Sequence, residues 1–317
     1  MATNHSLEAH GLRKRYGSTQ ALDGFELSVR AGSVHGVLGP NGAGKSTAVK
    51  GLTTLIDLDG GQAVVAGHDV ARHPARVRRS IGLVGQNPAV DEVITGAENL
   101  IMFGRLYGLD RRAAVARSAE LLEQFDLTEA GGRPVSTYSG GMRRQLDIAA
   151  GLILTPAVLF LDEPTTGLDP RARNEVWTQV REIAAQGTTV LLTTQYLDEA
   201  DQLASMISVM NHGRVVANDT PEALKRQLGG DRVVITLFRP EQLAPVAAAL
   251  ERSTGRAPEL DAEARTITVE AGGAGAAVLA DCVRALDATG TEAEDVVLRR
   301  PTLDEVFLSL TDREVAR

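Results

Sequence analysis

Residues 33–47 read SVHGVLGPNGAGKST, in which a short apolar run leads into a loop rich in glycine. Residues 39–47 satisfy the pattern GxxxxGK[ST], which indicates a phosphate-binding loop where a strand precedes it and a helix follows it. Both conditions are met, because SVHGVLG has the pattern of a buried strand and AVKGL, at residues 48–52, continues as a helix. The stretch therefore predicts a strand, a phosphate loop and a helix in succession.

The residue types of this loop suit the phosphates of a nucleotide. Its backbone N–H groups would cradle the β- and γ-phosphates, Lys45 would neutralise their charge, and the Ser46 hydroxyl would bind Mg²⁺. The alternative is a glycine-rich turn that binds nothing. The predicted nucleotide-binding residues of this loop are Gly39, Asn41, Gly42, Gly44, Lys45, Ser46 and Thr47.

The apolar pattern of the first predicted strand recurs further along the chain. Three more short apolar runs, separated by helical stretches, are IGLVGQ (81–86), AVLFLD (157–162) and TTVLLTT (188–194). Such runs are typical of parallel strands covered on both faces, so the sequence predicts a doubly wound α/β core. Residues 6–31 alternate instead around a turn at residues 16–18, which predicts an antiparallel β layer.

The chain divides into two predicted domains. The first spans residues 1–228 and contains a mostly helical subdomain at about residues 90–155, inserted between the second and third apolar runs. The second spans residues 229–317, where the predicted order of elements is βαββαβ, typical of a small α+β domain. Cys282 lies in a predicted helix of this domain and is expected to pack as a small apolar residue.

Two carboxylates follow the third strand, in VLFLDEP at residues 158–164. Asp162 and Glu163 come at the carboxyl end of a buried strand, which is the edge where such sheets bind ligands. Asp162 would hold the magnesium shell, and Glu163 would orient or deprotonate an attacking water. The alternative is a polar strand end before the turn at Pro164.

A second anion site is predicted at residues 138–149, which read YSGGMRRQLDIA. A serine and two glycines precede a helix, and the free N–H groups of a helix N-terminus attract a phosphate. Together with the phosphate loop, the acidic pair and TGLDP at residues 166–170, YSGGM resembles the signature LSGGQ of the nucleotide-binding subunits of ABC transporters. The resemblance covers about residues 5–225, with Tyr138 and Met142 as departures from the signature.

The resemblance implies that the chain works as a pair. Ser139, Gly140 and Gly141 would bind the γ-phosphate of ATP that is held by a partner subunit. Each chain would then carry two half-sites, so two copies would join head to tail as a homodimer with two nucleotides between them. ATP would close this pair, and hydrolysis would open it.

The resemblance also assigns roles to four single residues. Tyr16 would stack on adenine, although an ordinary turn tyrosine is the alternative. Gln86 would touch magnesium and report to the membrane partner, and Asp169 would lie across the dimer interface. At Gln195 the family usually has a histidine that contacts the γ-phosphate. Glutamine donates a hydrogen bond but carries no charge, so we expect hydrolysis to be retained, with a slower turnover or greater reliance on Glu163.

The sequence shows no segment that could span a membrane, so a separate multi-span permease subunit is implied. This chain is then expected at the cytoplasmic face of a bacterial cell membrane. RRPTLDEVFLSLT (299–311) and TTQYLDEAD (193–201) resemble the daunorubicin-resistance type of bacterial drug exporter. For residues 229–317 we expect regulation or dimer support, with a stabilising appendage as the alternative. The exported compound is not predicted, because its binding site belongs to the permease.

The composition argues against other classes of protein. A net charge of −8 argues against a dedicated nucleic-acid binder, so no nucleic-acid partner is expected. The six histidines show no spacing typical of a metal site. Two alternatives stay open. One is a soluble mechanical ATPase acting on ribosomes or DNA, and the other is a nucleotide-dependent regulator that barely hydrolyses ATP.

Overall fold

The computed structural model describes residues 5–226, 230–272, 274–300 and 302–307. The chain forms two compact units, Met1–Thr220 and Pro221–Arg317. The first unit contains β1 (His5–Tyr16), β2 (Thr19–Arg30), β3 (Val34–Leu38), α1 (Lys45–Leu52), β4 (Gly60–Val65), β5 (His68–Asp69), α2 (Pro74–Ser80), β6 (Ile81–Val84), α3 (Gly96–Leu106), α4 (Arg111–Gln124), α5 (Gly140–Gly151), β7 (Val158–Asp162), α6 (Pro170–Ala185), β8 (Thr189–Thr194), α7 (Leu197–Leu203), β9 (Met206–Asn211) and β10 (Arg214–Asp219).

The core of the first unit is a six-stranded sheet in the order β10-β9-β3-β8-β7-β6. Its first neighbouring pair, β9 and β10, is antiparallel, and the remaining neighbours are parallel. Every residue of β3, β7 and β8 is buried, as expected of strands with layers packed on both faces. The predicted doubly wound α/β core is confirmed, and its carboxyl edge brings the ends of β3, β7 and β8 together.

The predicted antiparallel layer is a four-stranded sheet in the order β2-β1-β4-β5. Strands β1 and β2 form a hairpin in which Tyr16 pairs with Thr19, and Gly17 takes a φ of 56° in the turn. Such a positive φ suits glycine in a two-residue hairpin. The buried face of β1, with Leu7 and Leu12, shares a hydrophobic cluster with α1 and β3. This layer therefore covers the phosphate-loop helix.

The helical insertion contains α3, α4 and α5, and each of these helices begins at a side-chain cap. Thr95 and Glu98 form a reciprocal capping box at the start of α3. Asp110 caps α4, and Ser139 caps α5 by accepting from the N–H of Met142. The apolar faces of all three helices join one cluster that includes Leu100, which is completely buried.

The second unit is a small α+β domain. It contains α8 (Pro221–Arg226), β11 (Asp231–Leu237), α9 (Leu243–Thr254), β12 (Glu259–Asp261), β13 (Thr266–Gly272), α10 (Gly275–Thr289) and β14 (Ala293–Arg299). The βαββαβ order is confirmed, and the antiparallel sheet has the order β12-β13-β11-β14 of a ferredoxin-like fold. Helices α9 and α10 cover one face of the sheet, and Cys282 is fully buried among their apolar side chains.

The division between the units falls at residue 220, eight residues before the predicted boundary at 228, so that α8 belongs with the second unit. Part of the resemblance at residues 299–311 falls at Pro301 and residues 308–311, which lie outside the described residues. Among the described residues, no helix is both long and apolar enough to cross a membrane. The regulatory or supporting role of the second unit stays a prediction.

Candidate active site

The phosphate loop joins β3 to α1 at the carboxyl edge of the core sheet. Gly42 and Gly44 have φ values of 81° and 107°, a backbone conformation that glycine adopts without strain. A Cβ atom at Gly44 would lie 2.3 Å from the carbonyl oxygen of Ala21, so this position also requires glycine for space. The loop therefore turns sharply from β3 into the N-terminus of α1.

Lys45 is the first residue of α1 and is buried, with 4% of its surface exposed. Its ammonium donates to the carbonyl oxygens of Gly39 and Pro40, at 2.7 and 3.1 Å. The same nitrogen lies 3.5 Å from Oε1 of Glu163. The ammonium is thus held at the mouth of the loop by backbone acceptors and by the proposed catalytic carboxylate.

The three residues predicted to bind a metal ion are brought together from three separate elements. Ser46, in α1, donates through Oγ to Oδ1 of Asp162 at 3.2 Å, and Nε2 of Gln86 donates to the same Oγ at 3.2 Å. Asp162 ends β7 and accepts a further hydrogen bond from the Thr193 hydroxyl on β8. Nothing in the sequence pattern distinguishes Thr193, whose hydroxyl fixes the orientation of the Asp162 carboxylate.

Glu163 follows β7 with a φ of 50°, in the left-handed region that a residue with a side chain rarely occupies. Its N–H donates to the carbonyl oxygen of Thr193 at 3.1 Å, which ties this peptide to β8. The Thr166 hydroxyl lies 3.4 Å from Oε2 of Glu163. Backbone strain of this kind, fixed by neighbouring strands, is characteristic of functional positions.

Two cavities lie on either side of Glu163. The first, here named the loop cavity, has a volume of about 240 Å³, and its lining includes Asn41, Gly42, Gly44, Lys45, Ser46, Thr47, Gln86 and Glu163. The second, here named the signature cavity, has a volume of about 270 Å³, and its lining includes Gln86, Gly140, Arg143, Arg144, Glu163, Thr166 and Gly167. Glu163 and Gln86 therefore border both the phosphate loop and the start of α5.

The two glycines at the start of α5, the predicted second anion site, differ in their packing constraints. A Cβ at Gly141 would lie 2.8 Å from Cβ of Ala172 on α6, whereas a Cβ at Gly140 would meet nothing nearer than 3.7 Å. Gly141 is thus required for helix packing, and Gly140 leaves the backbone open. Tyr138, which departs from the signature, is buried and donates to the carbonyl oxygen of Ala130 at 2.7 Å.

The predicted residues outside the linings of these two cavities include Tyr16, Asp169 and Gln195. Tyr16 ends β1 with 48% of its surface exposed, and the Lys14 ammonium lies 5.6 Å from the centre of its ring. Asp169 caps α6 by accepting from the N–H of Ala172 at 2.9 Å. Gln195 directly follows β8, one position beyond the Leu38–Thr194 register pair, and so lies at the same sheet edge as the phosphate loop.

The sequence patterns did not predict the buried charged side chains around the site. Arg144 and Asp147 of α5 form an ion pair at 3.3 Å, and both side chains are buried. Glu199 of α7 is completely buried. Its Oε1 accepts hydrogen bonds from the Thr165 hydroxyl and from Nε1 of Trp177. Burial raises the pKa of Glu199 above its ordinary value, and these hydrogen bonds oppose that shift. Opposite charges three residues apart in the predicted helix were the available signal for the Arg144–Asp147 pair.

Similarity to known proteins shows the family of this chain. The ABC transporter family model matches residues 22–166. The daunorubicin resistance ATP-binding protein DrrA2 of Streptomyces coeruleorubidus is 56% identical over 307 residues, which make up 97% of this chain and 95% of that protein. This chain belongs to the ATP-binding subunits of ABC transporters. The daunorubicin/doxorubicin resistance ATP-binding protein DrrA of Streptomyces peucetius is 49% identical to this ABC subunit, with 96% of this chain and 92% of that protein covered.

Solved structures of ABC ATP-binding subunits share the fold of this chain. A structure described as the ATP binding subunit of an ABC transporter is 30% identical to this ABC subunit and has a TM-score of 0.63, covering 70% of this chain and 93% of that one. The ADP conformation of MJ1267, an ATP-binding cassette of an ABC transporter, is 27% identical with a TM-score of 0.64, covering 70% and 93%. The predicted fold class and family are therefore confirmed.

As an ABC ATP-binding subunit, the chain binds ATP and is the ATPase that powers a membrane exporter. ABC ATPase domains of this family work as dimers with separate permease subunits. The alternatives of a mechanical ATPase and of a nucleotide-dependent regulator are not favoured by these relatives.

Proposed function

We propose that this ABC subunit hydrolyses Mg-ATP between two copies of itself and drives the export of a hydrophobic drug or antibiotic through a separate permease. The observation that carries the proposal is the position of Glu163, which borders both the loop cavity and the signature cavity. A carboxylate at this border can act on a nucleotide held by its own phosphate loop and face a second copy of the chain.

The residues near Ser46 fit a magnesium ion. Its hydroxyl lies within hydrogen-bond distance of the Asp162 carboxylate and of the Gln86 amide nitrogen, and Mg²⁺ prefers hydroxyl and carboxylate oxygens together with phosphate oxygens and water. When bound, Mg²⁺ would neutralise charge on the β- and γ-phosphates. Ser46 and Asp162 would hold it, and Thr193 would keep the Asp162 carboxylate in place.

Hydrolysis is assigned to Glu163, Lys45 and Gln195. Glu163 would orient and deprotonate the attacking water, and Lys45 would stabilise the negative charge of the transferred phosphoryl group. Gln195 would donate a hydrogen bond to the γ-phosphate in place of the histidine that the family usually has. The loop residues Gly39, Asn41, Gly42, Gly44 and Thr47 would cradle the phosphates, and Tyr16 would stack on adenine.

The homodimer is proposed from the two half-sites of one chain. Ser139, Gly140 and Gly141 would approach the γ-phosphate held by the partner, with Asp169 at the interface between the two subunits. The open backbone at Gly140 supports this role, because a phosphate oxygen can reach its N–H group without displacing a side chain. ATP would then lie at both ends of a two-fold interface.

The cargo and location are proposed from the relatives. Proteins named for resistance to daunorubicin and doxorubicin align with nearly the whole chain. We therefore place the chain at the cytoplasmic face of the cell membrane, bound to a permease that holds the drug. Co-purification of a multi-span protein from native membranes in a constant ratio tests this placement, whereas recovery with ribosomal or DNA-associated proteins would contradict it.

Replacement of the proposed base tests the site itself. Glu163→Gln should lower phosphate release at least about 100-fold and accumulate an ATP-bound dimer in Mg-ATP, as measured by size-exclusion chromatography with light scattering. Glu120→Gln, an exposed carboxylate on α4, is the matched control and should behave as the wild type. Full activity of Glu163→Gln would exclude the assigned base, and a monomer with ATP demonstrably bound would exclude the homodimer with ATP between its subunits.

A further inference from the structure

Arg144 is a buried arginine that connects α5 to three backbone carbonyl oxygens in two segments of the site. Its Nε donates to the carbonyl oxygen of Pro164 at 2.7 Å, and its Nη1 donates to that of Gly85 at 2.6 Å. Its Nη2 donates to the carbonyl oxygen of Asp162 at 3.3 Å. With only 5% of its surface exposed, this side chain contributes to the interior of the site rather than to the surface.

Two of these acceptors lie on either side of the proposed catalytic base. The carbonyl oxygens of Asp162 and Pro164 come directly before and after Glu163, so one guanidinium holds the backbone on both sides of that residue. The backbone at Glu163 is in the left-handed region, which costs energy and needs support from its surroundings. Arg144 provides such support from the helix that begins with the signature serine.

The third acceptor and the partner of Arg144 lie in the Gln86 loop. The carbonyl oxygen of Gly85 directly precedes Gln86, and Asp147, which pairs with Arg144, accepts from the N–H of Ala89 at 2.9 Å. One ion pair on α5 therefore holds both ends of residues 85–89. The loop that carries a predicted magnesium contact is fastened to the same helix as the peptide of Glu163.

Arginine is specifically suited to this position. A planar guanidinium presents five N–H donors in a fixed arrangement and can bond several carbonyl oxygens in different directions at once. Lysine keeps the positive charge but has a single nitrogen, which cannot reach acceptors on both sides of Glu163 and on Gly85 together. The contacts therefore depend on the shape of the side chain as well as on its charge.

We propose that Arg144 is a positioning residue that fastens the Glu163 peptide and the Gln86 loop to the signature helix. A displacement of α5, the helix proposed to face the partner's nucleotide, is then transmitted to the base that acts on the chain's own nucleotide. Arg144 touches no substrate and acts through Glu163. The inference rests on the proposed function, in which Glu163 is the base and the start of α5 meets the partner.

The test compares Arg144→Lys with a control that loses similar bonds elsewhere. Arg117 of α4 donates to the carbonyl oxygens of Leu152 and Ile153, at the other end of α5 and away from Glu163. In the full chain, Arg144→Lys should lower kcat for phosphate release at least about tenfold and leave KM for ATP within about twofold, because the base is misplaced while the phosphate loop is intact. Arg117→Lys should keep kcat near the wild-type value.

A second variant keeps the proposal testable if Arg144→Lys folds poorly. Asp147→Asn retains an oxygen for the Ala89 N–H but removes the charge partner of Arg144, so kcat should fall several-fold with an unchanged KM. Equal losses in Arg144→Lys and Arg117→Lys, a loss confined to KM, or wild-type kcat in Asp147→Asn would overturn the proposal.

Assembly is measured separately in the Glu163→Gln background. Adding Arg144→Lys to Glu163→Gln should leave ATP-driven dimerisation unchanged. Loss of the dimer would mean that Arg144 supports assembly rather than the Glu163 peptide, and that result would overturn the inference. Glu163→Gln alone decides the proposed function. Wild-type hydrolysis by that single variant would reject the assigned base, whereas its expected defect combined with a wild-type kcat in Arg144→Lys would reject only the positioning role.

Discussion

The ammonium of Lys45 lies 3.5 Å from Oε1 of Glu163, so the lysine of the phosphate loop and the proposed base form an ion pair of two largely buried groups. A γ-phosphate needs the same ammonium. Glu163→Gln removes the competing negative charge, and we expect the variant to bind ATP about three- to tenfold more tightly than the wild type. Equilibrium titration with a fluorescent ATP analogue, without turnover, measures the difference, and weaker binding would contradict this explanation.

The two signature glycines are predicted to separate packing from function. Gly141→Ala places a methyl group 2.8 Å from Cβ of Ala172 and should lower the free energy of unfolding by about 1 to 2 kcal/mol, since overpacking outweighs the gain in helix propensity.

Gly140→Ala meets nothing closer than 3.7 Å, so its stability should stay within about 0.5 kcal/mol of the wild type. Its ATP hydrolysis should nevertheless fall at least about tenfold, because the methyl group obstructs the N–H groups proposed to meet the partner's phosphate. Denaturant unfolding and phosphate release measure the pair. Equal behaviour of the two variants would refute this division.

Gln195 is expected to contribute modestly to turnover. Gln195→Ala should lower kcat about three- to tenfold by removing a hydrogen-bond donor to the γ-phosphate. The separate variant Gln195→His should match or exceed the wild-type kcat. Tyr196→Phe, which keeps the ring 5.1 Å from the Arg173 guanidinium, is the neighbouring control. An unchanged rate in Gln195→Ala would show that this side chain is idle.

His35 on β3 is predicted to make stability depend on pH. Its Nε2 lies 2.9 Å from the Ser208 hydroxyl, and burial lowers its pKa from 6.5 to about 4. Because the unfolded chain takes up this proton near pH 6.5 and the folded chain only near pH 4, stability is retained above pH 6.5 and lost below it. The loss should reach about 3 kcal/mol at pH 4.

His35→Gln provides the comparison for that loss. Its free energy of unfolding should fall less between pH 7 and pH 4 than that of the wild type, by about the same 3 kcal/mol. Urea unfolding at several pH values measures both proteins. Parallel pH profiles would mean that other groups account for the acid sensitivity.

The fold could be predicted well from the sequence where local pattern and geometry agree. The continuous apolar runs predicted buried parallel strands, because a strand covered on both faces has no polar side, and β3, β7 and β8 are buried throughout. The phosphate loop was predictable for a similar reason. Its glycines are required by a tight turn and its lysine by charge, both of which are properties of neighbouring residues.

The contacts that depend on distant segments could not be predicted. Arg143 and Arg144 are adjacent and chemically identical, yet Arg143 pairs with Glu92 at the surface and Arg144 enters the interior. Only the packing of α5 against β6 and β7 distinguishes them. Thr193 likewise reads as one more residue of an apolar strand, and its contact with Asp162 follows from strand register, which the sequence pattern does not specify.

The hydrogen bond between Trp177 and Glu199 has a practical consequence. Trp177 is the single tryptophan of the chain, and its indole lies on α6, the helix capped by Asp169, against a carboxylate of α7. Indole emission responds to a nearby charge and to hydrogen bonding, so the chain contains its own optical probe between the segments that follow β7 and β8. Intrinsic fluorescence therefore reports any change in this contact between α6 and α7 in real time, without a label and without any substitution in the site.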